Sequence, residues 1–292
     1  MGFISNMEFL VVPLLASLIL LAVTSYFGIH VLKREIIFID IAMAQIAALG
    51  GVISLFLEHV LDLHEIMIGN INLSEILEYV FSLVFCLGAA VLFTFLKDPR
   101  IRIPMEAFIG IAYAFATTAA VIILDKGAGG DVHLHEMLAG ALLWTTWQQV
   151  LRLAIFLIAI GGFHFIFRRH FIGLSANYLV SKSTGKGSRK WDFLFYLTFG
   201  IMIIEAVKIA GVLTVFAFLI LPASISALFS TRWDRRIYIG LVSGIVATIS
   251  GLSLSVALDV TASPLIILSL GVILLLGLIT KRVTVNKNPA IR

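Results

Sequence analysis

The stretch FLFYLTFGIMIIEAVKIAGVLTVFAFLILPASISALFS, Phe193 to Ser230, decides the fold, because it is long enough to cross a membrane once or twice. Its only charged side chains are Glu205 and Lys208. A transmembrane helix needs about 20 apolar residues, within a range of about 17 to 25. The stretch is therefore either two short spanning helices or one long broken helix, and the residues around it must decide.

Basic residues on both sides of this stretch favour two crossings. Cytoplasmic loops of membrane proteins carry an excess of Lys and Arg. Basic residues are frequent in 168–190, before the stretch, and the motif RWDRR, residues 232–236, follows it. Both ends of the stretch therefore belong on the cytoplasmic side, so that 193–208 and 210–230 are separate spans.

The whole chain has the composition of a protein with many membrane spans. Of its 292 residues, 60% are hydrophobic and only 13% are charged, whereas soluble domains are about a quarter charged. Backbone groups inside a bilayer must be satisfied within the protein, so spans are helices or a closed barrel. The apolar runs are continuous rather than alternating, which excludes a barrel. The sequence therefore predicts an all-α polytopic membrane protein.

Nine apolar runs are long enough to be candidate spans. They cover residues 9–32, 36–57, 76–96, 107–124, 150–167, 193–208, 210–230, 238–258 and 264–280. A bundle of eight helices is the alternative if one run does not fully cross. Between the fourth and fifth runs, MLAGALLW, residues 137–144, is interpreted as a short re-entrant or interfacial piece.

The distribution of charge orients the bundle. With the N-terminus outside and the C-terminus inside, all the Lys and Arg residues except Lys126, Arg152 and Lys208 face the cytoplasm, as the positive-inside tendency requires. No Pro-, Gly- or Ser-rich linker divides the chain. We therefore expect one transmembrane domain over residues 1–292, with a short cytoplasmic tail at 281–292.

Two polar side chains interrupt the second run, FIDIAMAQIAALGG, residues 38–51. Asp40 and Gln45 lie there, and an ionisable group at bilayer depth costs several kcal/mol unless it faces protein or water. Asp40 follows Arg34 by about 9 Å of helix, which allows a shallow cytoplasmic position. Both residues are interpreted either as a lining of a transport pathway or as packing between helices.

Glu205 and Lys208 form a second polar pair, within the sixth run. They are three residues apart and share one face of a helix. The pair either neutralises itself within the helix or contributes to a pore or gate.

The loops on the outer side are acidic and contain histidine. Residues 58–78 contain seven carboxylate or imidazole side chains, and residues 125–137 contain two besides the motif HLHE. Such loops would concentrate cations or dock a partner. In HLHE, His133, His135 and Glu136 are residue types that bind metals. Their spacing supplies two ligands on one side, which is less than a closed zinc site. Solvated loops without a role are the alternative.

No nucleotide-binding motif occurs in the chain. The segment STGKGSRKWD, residues 183–192, lacks the first glycine of a phosphate-binding loop and follows no strand. Energy from ATP would therefore have to come from another subunit. The basic residues of this region suit contact with a cytoplasmic partner; they are Lys182, Lys186, Arg189 and Lys190. The single cysteine, Cys86, excludes an intrachain disulfide, and the basic balance indicates cytoplasmic loops rather than nucleic-acid binding.

Several blocks resemble the ABC-3 metal permeases, the membrane subunits of type II ABC importers of zinc, manganese and iron(II). The most specific block is AGVLTVFAFLILPASISAL, with Gly211 and Pro222. The others lie in 31–51, 106–124, 134–144 and 258–279. The resemblance implies a homodimeric permease in the bacterial plasma membrane, paired with a cytoplasmic ABC ATPase and an extracytoplasmic metal-binding protein. It implies a divalent metal ion as the substrate, ATP on the partner subunit, and no cofactor on this chain.

The second run departs from the family pattern of an Asp, a His four residues later, and then Leu-Pro-Gly. Aligned on Gly50, Gln45 takes the His position and Ile41 takes the Asp position. An amide is a poor ligand for transition metals beside imidazole, so the chelating pair is not carried over intact. The candidate conduit residues are Asp40, Gln45 and Glu205, with His133, His135 and Glu136 receiving the ion outside.

Two other classes of protein remain as alternatives. A secondary transporter or channel would use Glu205, Lys208 or Asp259 as a relay for protons or ions. A membrane-embedded enzyme would need a catalytic zinc site, but no HExxH motif occurs.

Overall fold

The computed structural model describes residues 2–61, 67–68, 71–97, 103–125, 142–178 and 189–287. This part of the chain is almost entirely helical. Its helices are α1 (Gly2–Arg34), α2 (Ile39–Leu61), α3 (Leu73–Phe95), α4 (Met105–Leu124), α5 (Trp147–Ile166), α6 (Arg168–Ala176), α7 (Arg189–Phe229), α8 (Trp233–Leu258) and α9 (Ala262–Lys287). A short 3-10 helix, Leu142–Trp144, precedes α5. The all-α prediction is confirmed.

A small antiparallel hairpin is the one departure from helix within the described ranges. Its strands, β1 (Met67–Ile68) and β2 (Ile71–Asn72), connect α2 to α3. Met67 pairs with Asn72 and Ile68 pairs with Ile71. Asn72 then caps α3, because its side chain accepts a hydrogen bond from the N–H of Ser74 at 3.2 Å, which satisfies a free amide of the first turn.

Eight of the described helices are long and apolar enough to cross a membrane. They are every helix except α6, which has nine residues. The sequence predicts nine runs, and the difference lies in α7, which contains two of them. The prediction of a multi-pass membrane protein is therefore confirmed.

Helix α7 is broken at Gly211. This residue has φ 75° and ψ 159°, whereas the residues on either side are helical. A positive φ with an extended ψ is open essentially to glycine alone, because a Cβ atom would clash with the backbone. The break divides α7 into 189–210 and 212–229, each about the length of a short span. It falls near the predicted boundary, just inside the second predicted span, 210–230.

The contacts of the chain divide it into two compact units. Unit 1 comprises Met1–Leu32, Leu138–Gly161 and Lys208–Arg292, and unit 2 comprises Lys33–Met137 and Gly162–Val207. Compact units within a chain are not by themselves independent domains, so the expected single transmembrane domain over residues 1–292 stays a prediction.

Unit 1 is held by glycines that let helices approach closely. A Cβ atom on Gly28 of α1 would lie 1.9 Å from the carbonyl oxygen of Leu219 in α7. One on Gly244 of α8 would lie 2.3 Å from Leu21 of α1, and one on Gly251 would lie 2.6 Å from Ile266 of α9. Small residues drive helix association in membranes by allowing such contact.

Unit 2 is organised around α2, which packs on both α3 and α4. A Cβ atom on Gly50 would lie 2.6 Å from the carbonyl oxygen of Phe81 in α3. The hydroxyl of Ser82 donates a hydrogen bond to the carbonyl oxygen of Ala47 at 2.9 Å. On the α4 side, Leu49 packs with Ala116 and Ala120. α2 is therefore packed closely against α3 on one face and against α4 on another.

Candidate functional site

Asp40 lies in the first turn of α2 and is buried, with 2% of its surface exposed. Neither of its carboxylate oxygens has a side-chain hydrogen-bond partner among the described residues. The carboxylate of Glu106, in the first turn of α4, is close enough to interact with it electrostatically. Glu106 accepts a hydrogen bond from the N–H of Ile37 through Oε1. Two carboxylates thus meet where helix N-termini favour negative charge.

Gln45 lies five residues further along α2 and is also buried, with 4% exposed. Its Oε1 accepts a hydrogen bond from the hydroxyl of Thr117 in α4 at 3.3 Å. This bond is the interhelical contact that the packing interpretation describes. Because five residues turn a helix by about 140°, Asp40 and Gln45 do not point in one direction and cannot chelate an ion together.

Glu205 and Lys208 share a helix but not an environment. Glu205 is buried, with 1% exposed, whereas Lys208 is exposed. Within the described ranges, no group of three or more His, Cys, Asp or Glu residues is placed to hold a metal ion. Asp40 and Glu205 therefore belong to no such group within these ranges.

The predicted outer loops are shorter than expected where the structure describes them. α2 continues to Leu61 and α3 begins at Leu73, so Glu58 and Glu78 lie on helices rather than in a loop. Glu58 is buried and accepts a hydrogen bond from the hydroxyl of Ser74 at 2.7 Å. The candidate ligands of the second loop, His133, His135 and Glu136, lie outside the described residues.

A buried ion cluster lies at the other end of unit 2. Arg34, the last residue of α1, donates from Nη1 to Oδ1 of Asp192 at 2.9 Å. Lys97, just after α3, donates from Nζ to Oδ2 of the same carboxylate at 2.6 Å. Arg34 and Asp192 are 1% exposed and Lys97 is 8% exposed. The carboxylate of Asp192, in the first turn of α7, therefore binds one cation at the end of α1 and a second cation just after α3.

Aromatic rings enclose these cations. The guanidinium of Arg34 lies 3.8 Å from the ring centre of Phe195 and 5.2 Å from that of Tyr178. The ammonium of Lys97 lies 4.5 Å from the ring centre of Tyr178. Burial lowers the pKa of Lys97 below its usual value, and the contact with Asp192 only partly offsets this. Ring faces attract desolvated cations, so the cage partly compensates for the lost water.

One face of helix α6 packs against this cluster. Phe171 and Ser175 of α6 are buried, and so is Tyr178, two residues after the end of α6. The spacing of the three residues is that of one face of a helix. The ring of Phe171 stacks on that of His164 with centres 4.0 Å apart. The side chains of Arg168 and Arg169 are exposed. α6 is therefore a short amphipathic helix whose basic side chains are exposed within the part of the chain that the structure describes.

The residues predicted to contact an ATPase follow α6. Arg189 and Lys190 open α7 and are exposed. Lys182 and Lys186 lie outside the described residues. Sequence reasoning missed the role of Asp192, although an acidic residue between a basic segment and an apolar run was a visible signal.

Known proteins resemble this chain over much of its length. The "Probable metal transport system membrane protein" of Chlamydia trachomatis is 25% identical over 61% of this chain and 60% of its own length. The "Manganese transport system membrane protein MntB" of Synechocystis is 24% identical over 67% of this chain and 63% of its own length. The chain thus spans less than two thirds of each of these relatives.

The fold also matches a solved structure. "PsaBC from Streptococcus pneumoniae in complex with Fab" superposes with a TM-score of 0.71 and 21% identity, covering 94% of both chains. This likeness shows a shared fold. The sequence model of the ABC 3 transport family matches residues 6–281 of this chain. Since that match covers nearly the whole sequence, the chain belongs to the ABC 3 transport family.

Proposed function

We propose that this chain is the permease subunit of an ATP-driven importer of a divalent metal ion, which is manganese, iron(II) or zinc, in the bacterial inner membrane. The observation that carries the proposal is the family match over residues 6–281, which reaches from the first spanning helix to the last. The printed names of the relatives, a metal and a manganese transport system, support a metal substrate. Alternating access would move the ion, and this chain would perform no covalent chemistry.

ATP would be bound by a separate cytoplasmic ABC ATPase. The chain has no phosphate-binding motif. Exposed basic residues lie in α6, at Arg168 and Arg169, and at the start of α7, at Arg189 and Lys190. We assign contact with the ATPase to Arg189 and Lys190, which are exposed. We assign it also to Lys182 and Lys186, which lie outside the described residues. An extracytoplasmic metal-binding protein would deliver the ion, and two copies of this chain would form the conduit.

The metal ion would pass polar groups buried among the spans. Asp40, Gln45 and Glu205 are the candidates within unit 2, and His133, His135 and Glu136 would receive the ion outside. A buried carboxylate with no side-chain hydrogen bond, such as that of Asp40, destabilises a membrane span. Such residues are therefore rare in spans and usually have a function.

Purified alone, this chain is expected to show no ATP hydrolysis above background. Reconstituted in vesicles with its ATPase and its metal-binding protein, it is expected to import Mn²⁺ only when ATP is supplied. Measurement of phosphate release and of Mn²⁺ inside the vesicles checks both results. Uptake by the chain without any ATPase would instead indicate transport driven by an ion gradient and would remove the proposal.

Gln45→Ala is expected to reduce Mn²⁺ import by about tenfold if the amide lines the conduit, the effect of one lost polar contact to a charge. Its folding stability should fall by only about 0.6 kcal/mol, the average for a hydrogen bond between membrane helices. Import per folded transporter and thermal unfolding in detergent measure the two effects.

Thr117→Val is the matched control for this substitution. It removes the same hydrogen bond but keeps the amide of Gln45. Equal import by the two variants would show that Gln45 serves packing alone.

A further inference from the structure

We infer that the cluster of Arg34, Lys97 and Asp192 is a positioning device that fixes α6 to the ends of α1, α3 and α7. Through it, a displacement of α6 becomes a displacement of membrane helices. The inference rests on the proposed function, in which the region around α6 faces the ATPase.

The first link joins α6 to α1 and α7 through one side chain. Nε of Arg34 donates to the hydroxyl of Ser175 in α6 at 2.9 Å, while Nη1 donates to Asp192 at 2.9 Å. The guanidinium group is planar and its donors point in fixed directions. The position of Ser175 relative to Asp192 is therefore set by the geometry of a single rigid group.

The second link brings in α3. Lys97 binds the free oxygen of Asp192 and lies over the ring of Tyr178, two residues beyond the end of α6. The hydroxyl of Tyr178 lies 3.2 Å from the hydroxyl of Tyr196 in α7. The segment after α6 is thus tied to the ends of two membrane helices.

The start of α6 is held separately by stacked rings. His170 stacks on Trp191 with ring centres 4.4 Å apart and an angle of 13° between the planes. Phe171 meets Trp191 edge to face, with ring centres 5.4 Å apart. Both ends of α6 are therefore held within unit 2, so the helix cannot tilt without disturbing α7.

Burial makes these links stiff. A buried charge that loses its partner keeps the full cost of its desolvation, so the cluster has one strongly favoured arrangement rather than a range of similar ones. The opposite face of α6 carries Arg168 and Arg169, which are exposed. α6 thus has one fixed face and one face open to a partner, as a transmitting element requires.

Two conservative substitutions in the complete transporter test the inference. Ser175→Ala removes the hydrogen bond between α6 and Arg34. Lys97→Met removes the link to α3 but keeps the Arg34–Asp192 pair, so the carboxylate of Asp192 still has one of its two cations. With the ATPase bound, each is expected to lower the Mn²⁺ imported per ATP hydrolysed by about fivefold to tenfold, the effect of one lost bond to a charge.

The readout is the ratio of import to hydrolysis, because a purely structural role would change both in proportion to the amount of assembled transporter. Lys97→Arg should restore the ratio. Ser250→Ala is the matched control. Among the described residues, that hydroxyl donates to carbonyl oxygens of its own helix, at Val246 and Ala247.

An unchanged ratio of import to hydrolysis in both variants would overturn the inference. Equal falls in import and in hydrolysis, in proportion to the loss of assembled transporter, would be such a result. Failure of the proposed function would look different, because the wild-type transporter itself would then show no ATP-dependent import.

Discussion

Asp192→Ala is expected to destabilise the protein by about 3–5 kcal/mol, because it leaves buried cations without their anion. Arg34 and Lys97 both bind this carboxylate, at 2.9 Å and 2.6 Å. Arg34 is 1% exposed and Lys97 is 8% exposed, so little water is available to replace the lost carboxylate. Unfolding of the purified protein in detergent, followed by its thermal midpoint and by its denaturant dependence, measures the loss.

Asp234→Ala is the control for this prediction. Asp234 lies in the first turn of α8, as Asp192 lies in that of α7, but it is exposed. It should lose only the interaction of its charge with the helix end, about 0.3–1 kcal/mol. Similar losses in the two variants would mean that the cluster contributes little to stability.

Gly28→Ala is expected to destabilise unit 1 by about 3 kcal/mol, near the upper end of the usual cost of overpacking. The new Cβ atom would lie 1.9 Å from the carbonyl oxygen of Leu219 and 3.0 Å from the Cβ atom of Ala223. The first of these is a backbone atom, so a side-chain rotation cannot relieve the clash and α1 must move away from α7. Thermal unfolding in detergent and the yield of folded protein from membranes measure the effect.

Gly271→Ala provides the same chemical change without a clash. A Cβ atom at Gly271, in α9, meets nothing within 4 Å. In the interior of a helix, Ala is preferred to Gly by about 0.8–1 kcal/mol, so this variant should be as stable as the wild type or more so. If Gly28→Ala behaves in the same way, the close approach of α1 and α7 is wrong.

The positions of the spans could be predicted because hydropathy and charge are local properties. The division of 193–230 into two segments followed from the basic residues on either side, and Gly211 breaks α7 at that place. The helix ends were predicted less well. α2 extends to Leu61 because helical hydrogen bonding continues past the point where acidic residues end the apolar run.

The buried ion cluster could not be predicted, because its members are far apart in sequence. Asp192 lies 158 residues from Arg34 and 95 residues from Lys97, and no local pattern connects such positions. The partner of Gln45, Thr117, is 72 residues away and was missed for the same reason. Asp40 was identified because a carboxylate in an apolar run is conspicuous at any separation.

Gly211 has a consequence for the way this sequence can change over generations. Any single-nucleotide change in a glycine codon that alters the amino acid gives a residue with a Cβ atom, and its φ of 75° with ψ of 159° disfavours all of them. No neighbouring codon therefore offers an equivalent residue. The joint between the halves of α7 is therefore constrained by stereochemistry to one amino acid, and lineages that keep the fold should keep glycine at this position.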